Sequence, residues 1–157
     1  MSTGKKAPTY PILEAMRAVG HDELRAVEFM EARRWSASGC ACPRCGSVNA
    51  YTMRDAKTGA RNKDFRWRCR DCVKLNREQD SSQSKRAEMF TIRTGTVFEE
   101  SRLPLWVWVH AFWAASSSKK GVSALQICRE CEISYKSALY VMHRVRAAMT
   151  DPSDAAG

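Results

Sequence analysis

Cys42-Pro43-Arg44-Cys45-Gly46 opens a stretch that closes with Cys69-Arg70-Asp71-Cys72, with 23 residues between Cys45 and Cys69. Two Cys-x-x-Cys pairs at this separation read as a four-thiolate zinc site. The gap is slightly longer than usual, which fits a longer hairpin between the pairs. A two-residue spacer lets both sulfurs of a pair reach one tetrahedral ion. Pro43 fixes its own φ and Gly46 permits a positive one, so both suit the tight turn. Four unrelated core cysteines would not arrive in paired knuckles with turn residues. A redox dithiol would need one pair at a helix start within a βαβ unit, and neither pair reads that way.

Between the knuckles, Phe65, Trp67 and Cys69 alternate with Arg66, Arg68 and Arg70. This period of two predicts a strand with an aromatic face toward the metal and an arginine face toward solvent. Arg66 and Arg68 on that face are candidate DNA contacts. Residues 51–54 are a plausible partner strand, with Lys57-Thr58-Gly59 in the connection, and 90–94 could add a third. So small a sheet buries too little apolar surface to stand alone, so metal binding would supply part of its folding energy. A Zn²⁺ ion with four thiolates lowers the formal net charge of +9 to about +7.

The chain has 157 residues, enough for one modest domain or two small ones. Its pI near 9.4 suggests a polyanionic partner, most simply nucleic acid. No apolar run approaches membrane-span length and no secretory signal is legible, so no membrane partner is expected. Seven cysteines, four of them in metal spacing, fit a reducing compartment better than a disulfide scaffold. The expected location is the cytoplasm, in association with the nucleoid.

Residues 1–20 read as a flexible N-terminus. Within an N-terminal helix region over 21–36, Asp22 is a good N-cap for Glu23 to Trp35, with Leu24, Val27 and Met30 as apolar positions. The ribbon then occupies 37–100, with a polar loop inserted at 74–88. Cys40 is expected to be free, because its one-residue spacer to Cys42 does not match the other knuckle.

From residue 101 the pattern becomes helical. Pro104 fits the first turn of a helix running to about Ala115. Its tryptophans, Trp106, Trp108 and Trp113, suit core packing better than base stacking, because they recur at helical spacing in an apolar run. His110 reads as a packed histidine. After a loop with Lys119 and Lys120, Ser123 caps a helix from Ala124 to about Cys131. Ser134 caps another that runs to about Met149. Ile127, Cys131, Ile133, Ala138, Val141, Val145 and Ala148 suit two helices packed across a sharp turn, which is helix-turn-helix spacing. The other face of the last helix carries Tyr135, Lys136, Tyr140, His143 and Arg144. With Ser134, Ser137, Lys119 and Lys120, these are candidate DNA contacts. An ordinary helical hairpin with a solvated basic face is the alternative. Cys128 and Cys131 lie within a helix and read as small core residues, not as a second metal site. The expected fold class is therefore α+β: an N-terminal helix, a small zinc-ribbon sheet, a three-helix helix-turn-helix domain over 101–149, and a tail at 150–157.

Taken together, several motifs resemble one group. They are Glu31-Ala32-Arg33-Arg34-Trp35, both knuckles, Thr94-Gly95-Thr96-Val97-Phe98, 119–126 and 133–138. The group is the bacterial insertion-sequence transposases that begin with a zinc ribbon and a helix-turn-helix (insertion-sequence family fifteen-ninety-five), and the resemblance covers about 20–149. It implies that Cys42, Cys45, Cys69 and Cys72 hold Zn²⁺ and that 134–146 is the recognition helix. It also implies double-stranded DNA as partner, at terminal inverted repeats, and a homo-oligomer or a full-length transposase as possible protein partners. Three features depart from the family. Glu132 stands where its turn usually has Gly, Cys128 and Cys131 replace Ala and Leu, and 74–88 is longer.

In the family a following RNase H-like domain carries the acidic catalytic residues. Eight residues after the last helix cannot supply such a sheet, so no catalytic residue is assigned. Asp151 and Asp154 read as solvated charge. The expectation is a DNA-binding protein like a truncated transposase, with no strand transfer of its own. A standalone transcription regulator or interaction module is the alternative, and an enzyme only if a longer chain was truncated or a catalytic domain joins in trans.

Overall fold

The computed structural model describes residues 19–35, 39–78 and 89–150. Expectations for 1–18, for the 79–88 part of the loop and for the tail from 151 lie outside them. Two compact units divide the chain, one spanning Val27–Glu100, the other made of residues through Ala26 and from Ser101 onward. The α+β class holds: the described residues form one helix, a small antiparallel sheet with a helix between its second and third strands, and three further helices.

Helix α1 spans Glu23–Arg34. Its start is fixed locally, because the Asp22 carboxylate accepts from the Arg25 N–H at 3.0 Å. Ala26 and Val27 carry its apolar burial, and Leu24, expected inside, is 41 % exposed. The true buried stripe is rotated from the one that Leu24 would mark.

In the ribbon unit, β1 (Ala50–Thr52), β2 (Trp67–Cys69) and β3 (Met89–Phe90) form an antiparallel sheet in the order β1-β2-β3. Tyr51 lies opposite Arg68, and Trp67 opposite Phe90. The 51–54 partner strand is thus present but shorter, with one further bridge between Arg54 and Arg61. The third strand ends at Phe90, because 91–94 turns on a Thr94 N–H bond to the Thr91 carbonyl at 3.1 Å.

The alternation over 65–70 also outruns the strand. Phe65 has φ of +53°, outside strand geometry. Arg70 begins helix α2, Arg70–Glu78, so the first part of the loop expected over 74–88 is helical instead. Asp71 in the first turn favours a helix start there. The second knuckle therefore sits at a helix start, but the strands among the described residues are antiparallel, so it lacks the βαβ setting that a redox dithiol would need.

The helical unit contains α3 (Leu105–Ser117), α4 (Ala124–Glu130) and α5 (Tyr135–Met149). Pro104 is the N-cap of α3, one position before the first turn, and offers no side-chain bond. The Glu23 carboxylate does this instead, accepting from the Leu105 N–H and, at 3.3 Å, from the Trp106 N–H. A carboxylate at a helix N-terminus also complements the helix dipole. Ser123 and Ser134 cap α4 and α5 as expected, each accepting at 3.1 Å, from the Gln126 and Ser137 N–H groups.

Helix α5 packs against both α3 and α4. Trp108, Leu105, Ile127, Val141, Met142 and Val145 are among the fully buried side chains. Ala148, expected inside, is exposed, as the last turn of α5 runs past the core. The turn between α4 and α5 contains Glu132 at φ of +53°. A left-handed residue with a side chain costs about 1 kcal/mol or more, which is why glycine is favoured at such a turn. The architecture is helix-turn-helix-like. No helix among the described residues is long and apolar enough to cross a membrane.

Candidate metal centre

Each knuckle is made by its own turn. In the first, the Gly46 N–H reaches back to the Cys42 carbonyl at 2.8 Å, with Gly46 at φ of +73°. The Cys42 N–H then donates to the Ser47 carbonyl at 2.8 Å. In the second, Cys69 ends β2 and Cys72 lies in the first turn of α2, whose N–H approaches the Cys69 sulfur at 3.5 Å. The Arg70 N–H donates to the Asn49 carbonyl at 3.0 Å, so β1 and β2 hold the knuckles side by side.

Asp71 ties the two turns together. Its carboxylate accepts from Ser47 Oγ at 2.5 Å and from Asn49 Nδ2 at 3.1 Å. Those two bonds hold the Asp71 carboxyl below its ordinary value, with Ser47 the larger cause. Through these bonds the Asp71 carboxylate fixes the backbone that carries Cys69 and Cys72 opposite the turn that carries Cys45.

The four sulfurs converge. All lie within 4.8 Å of one another, with Cys42 and Cys72 at 3.8 Å and Cys45 and Cys69 at 3.6 Å. A tetrahedron of sulfurs each about 2.3 Å from a central ion has edges of about 3.8 Å. The set therefore fits a structural Zn²⁺ in number, ligand type and spacing. All seven cysteines of the chain are free thiols, so no disulfide competes for these sulfurs.

Electrostatics argue the same way. Burial pushes the Cys69 and Cys72 thiols up, since a lone thiolate is poorly solvated there. A divalent cation reverses that cost by binding the thiolates. Cys45 is the exposed member, and its thiol is lowered first by the Ser47 backbone N–H. Cys40 is buried but lies outside the four-sulfur set, as expected. Burial, then the Glu31 carboxylate, pushes its thiol up to about 12, so it stays protonated at neutral pH.

Helix α1 supplies supports that spacing alone did not reveal. Glu31 accepts from the Trp67 indole at 2.7 Å and from both terminal nitrogens of Arg61. Arg34, one turn on, donates to the Ile92 and Thr94 carbonyls at 2.7 and 2.9 Å. Trp35 meets Trp67 and Phe90 edge-on, with centroids 5.5 and 6.1 Å apart. Trp35, Trp67 and Phe90 thereby pack against the cysteines, and sulfurs and aromatics together form the ribbon core. The sequence signal was the Glu31–Trp35 motif, whose partners lie 30 to 60 residues away.

The candidate DNA contacts fall in two places, each in its own unit. In the ribbon, Arg66 is exposed and pairs with Asp64 at 3.1 Å, while Arg68 is half-buried on β2. In the helical unit, Lys119 and Lys120 are exposed after α3. On α5, Lys136, Tyr140 and His143 share the exposed face, with Tyr135 exposed beside them. Ser134 and Ser137 are joined at 2.9 Å between their hydroxyls within the α5 cap. Arg144 is half-buried, with its guanidinium over the Tyr140 ring.

The residues set aside as structural behave so. His110 bonds Glu130 at 2.7 Å across α3 and α4, and Trp108 is buried. Cys128 Sγ lies 3.0 Å from the Ile133 carbonyl. Cys131 is buried, and burial pushes its thiol up to about 11.

Residues 21–74 match the family described as the transposase zinc-ribbon domain. The matched stretch holds α1, both knuckles and all four clustered cysteines. No curated protein and no solved structure matches the chain.

Proposed function

We propose that this chain binds duplex DNA as the end-recognition part of an insertion-sequence transposase, with α5 as its recognition helix. The observation that carries the reading is a succession within one chain. A transposase-type zinc ribbon over 21–74 is followed by a helix-turn-helix-like unit whose last helix presents Lys136, Tyr140 and His143 on one exposed face. An α-helix fits the major groove, and lysine and arginine beside it neutralise phosphate. The net charge of +9 supports a polyanionic partner.

The preferred sites are terminal inverted repeats, and the role includes no strand cutting by these residues. Zinc here shapes the ribbon. Cutting and joining would need carboxylates that converge on divalent ions at the scissile phosphate. A standalone regulator is the second reading. It is favoured by one fact: the family match covers the ribbon alone, and a ribbon can be reused beside other modules.

The test is binding of the purified chain to duplexes from the ends of the element that encodes it and to scrambled duplexes, across a salt series. The expected result is preference for the end sequence, steep weakening with salt, and intact strands in Mg²⁺ or Mn²⁺. Lys136→Ala should weaken binding with the fold unchanged. Equal, salt-insensitive affinity for both duplexes would overturn the reading. Preference for promoter DNA over the ends would favour the regulator.

A further inference from the structure

Helix α5 turns Ala138, Val141, Met142 and Val145 to the core. Outside that stripe, Tyr135, Lys136, Leu139, Tyr140 and His143 are exposed. Leu139 is 36 % exposed. Residues three and four apart are neighbours on a helix surface, so Tyr135, Lys136 and His143 surround it, and each ends in a polar group. Leucine differs from all of them in having neither a donor nor an acceptor.

The other large side chains of this face are suited to other tasks. The Tyr140 ring already meets Trp108 edge-on, with centroids 6.2 Å apart, and has the Arg144 guanidinium over it at 4.8 Å. Tyr135 opens the helix and carries a hydroxyl, which suits phosphate or a base edge. Leu139 offers hydrocarbon alone.

Residues near the start of a recognition helix reach base edges. Leu139 is the fifth of the fifteen residues of α5. It lies about 6 Å along the axis from Tyr135, at about 1.5 Å per residue. In the major groove every base pair shows donors and acceptors, and the one apolar group is the thymine methyl. A leucine laid on a polar base edge displaces water and returns no hydrogen bond, which costs affinity. Laid on a thymine methyl, it takes apolar surface out of water on both sides. A protein partner would also cover a leucine, but Lys136 beside it and the net charge of +9 favour a polyanion.

We infer that Leu139 is a specificity-determining residue that covers the methyl group of a thymine in the bound DNA site. The inference rests on the reading of α5 as a recognition helix. Removing one buried methyl group weakens binding by about fourfold.

The experiment uses the full chain and the duplex that it selects from a random-sequence pool. That duplex is made once with thymine and once with uracil, which lacks only the methyl group. The unaltered chain should bind the uracil form about fourfold more weakly for one methyl covered. Leu139→Ala should bind the thymine form more weakly than the unaltered chain does, and should bind the two forms alike. Leu139→Met keeps the apolar cover and should keep most of the preference. Lys136→Ala should weaken both forms by the same factor and leave their ratio as it was. A leucine that merely supports the helix would also leave that ratio as it was in Leu139→Ala, so an unchanged ratio there overturns the role. Equal affinity of the unaltered chain for both forms, or a selected duplex without thymine, overturns it as well. Salt-sensitive binding with no duplex selected overturns it and leaves unspecific DNA binding standing. No binding by the unaltered chain removes the reading of α5 along with it.

Discussion

In the ribbon unit one small core cluster consists of Cys40, the three ligands Cys42, Cys69 and Cys72, and Phe90, with Trp35, Ala50 and Trp67 packed against it. In the helical unit the buried side chains include Leu105, Trp108, Ile127, Val141, Met142 and Val145, and each helix start has a polar cap. The first unit buries three of its four ligands and has strands of three, three and two residues. A sheet that short has too few cross-strand pairs to persist unaided. The second is an ordinary apolar core in which helices bury one stripe each. Two neighbouring stretches of one chain thus solve the same problem, excluding water, with a metal in one and with hydrocarbon in the other.

Substitutions can break this comparison from either side. The largest effect should come from Cys69→Ser, at a fully buried ligand. Structural zinc contributes on the order of 10 kcal/mol to such folds, so the variant should lose its zinc and the ribbon fold together. Native mass spectrometry should find one zinc in the unaltered chain and none in the variant. Next is Ile127→Ala, at the junction of α4 with the core. A cavity there costs about 2–5 kcal/mol. The helical unit should melt earlier while zinc stoichiometry stays at one; a loss of zinc would mean that the units do not divide the work as described.

How far the sequence carried the reading follows from the range of each interaction. The knuckles were legible because a Cys-x-x-Cys turn is local, and so were the caps at Asp22, Ser123 and Ser134. The start of α2 was not, because the Phe65–Arg70 alternation imitates a strand and the knuckle geometry overrides it at Arg70. The Glu31 bonds to Arg61 and Trp67, and the Glu23 cap on α3, join residues 30 to 83 apart. No local pattern marks them. Leu24 and Ala148 were misplaced for a different reason: at the ends of a helix, periodicity continues where burial stops.

Glu132 sharpens the comparison inside the helical unit, because strain at this turn was legible as a departure from glycine and appears as φ of +53°. Glu132→Gly should stabilise the unit by about 1 kcal/mol, the left-handed strain less the entropy that glycine adds to the unfolded chain. A calorimetric rise in its melting temperature would check this; a fall would mean that the Glu132 side chain earns its strain through a contact.

The smallest effect concerns Glu130. His110, then Gln126, hold its carboxyl below the ordinary value of 4.5. A depressed folded value stabilises the fold above the unfolded value and loses that stabilisation as pH falls through the folded one. The side chain is 37 % exposed, so screening limits the effect to about 0.5 kcal/mol. Glu130→Gln should therefore lower the stability of the helical unit slightly at neutral pH. The difference from the unaltered chain should close as pH drops below 4.5. Thermal melts of both proteins at matched pH values, followed by helical signal, would read it.

The central claim is that zinc holds one unit and hydrocarbon the other. Amide hydrogen exchange on the full chain, with and without a zinc chelator, tests it most directly. The account predicts that chelation strips protection from β1, β2 and the two knuckles while the amides of α3 and α5 stay protected. Protection that survives chelation in the ribbon, or that disappears from both units together, would contradict it.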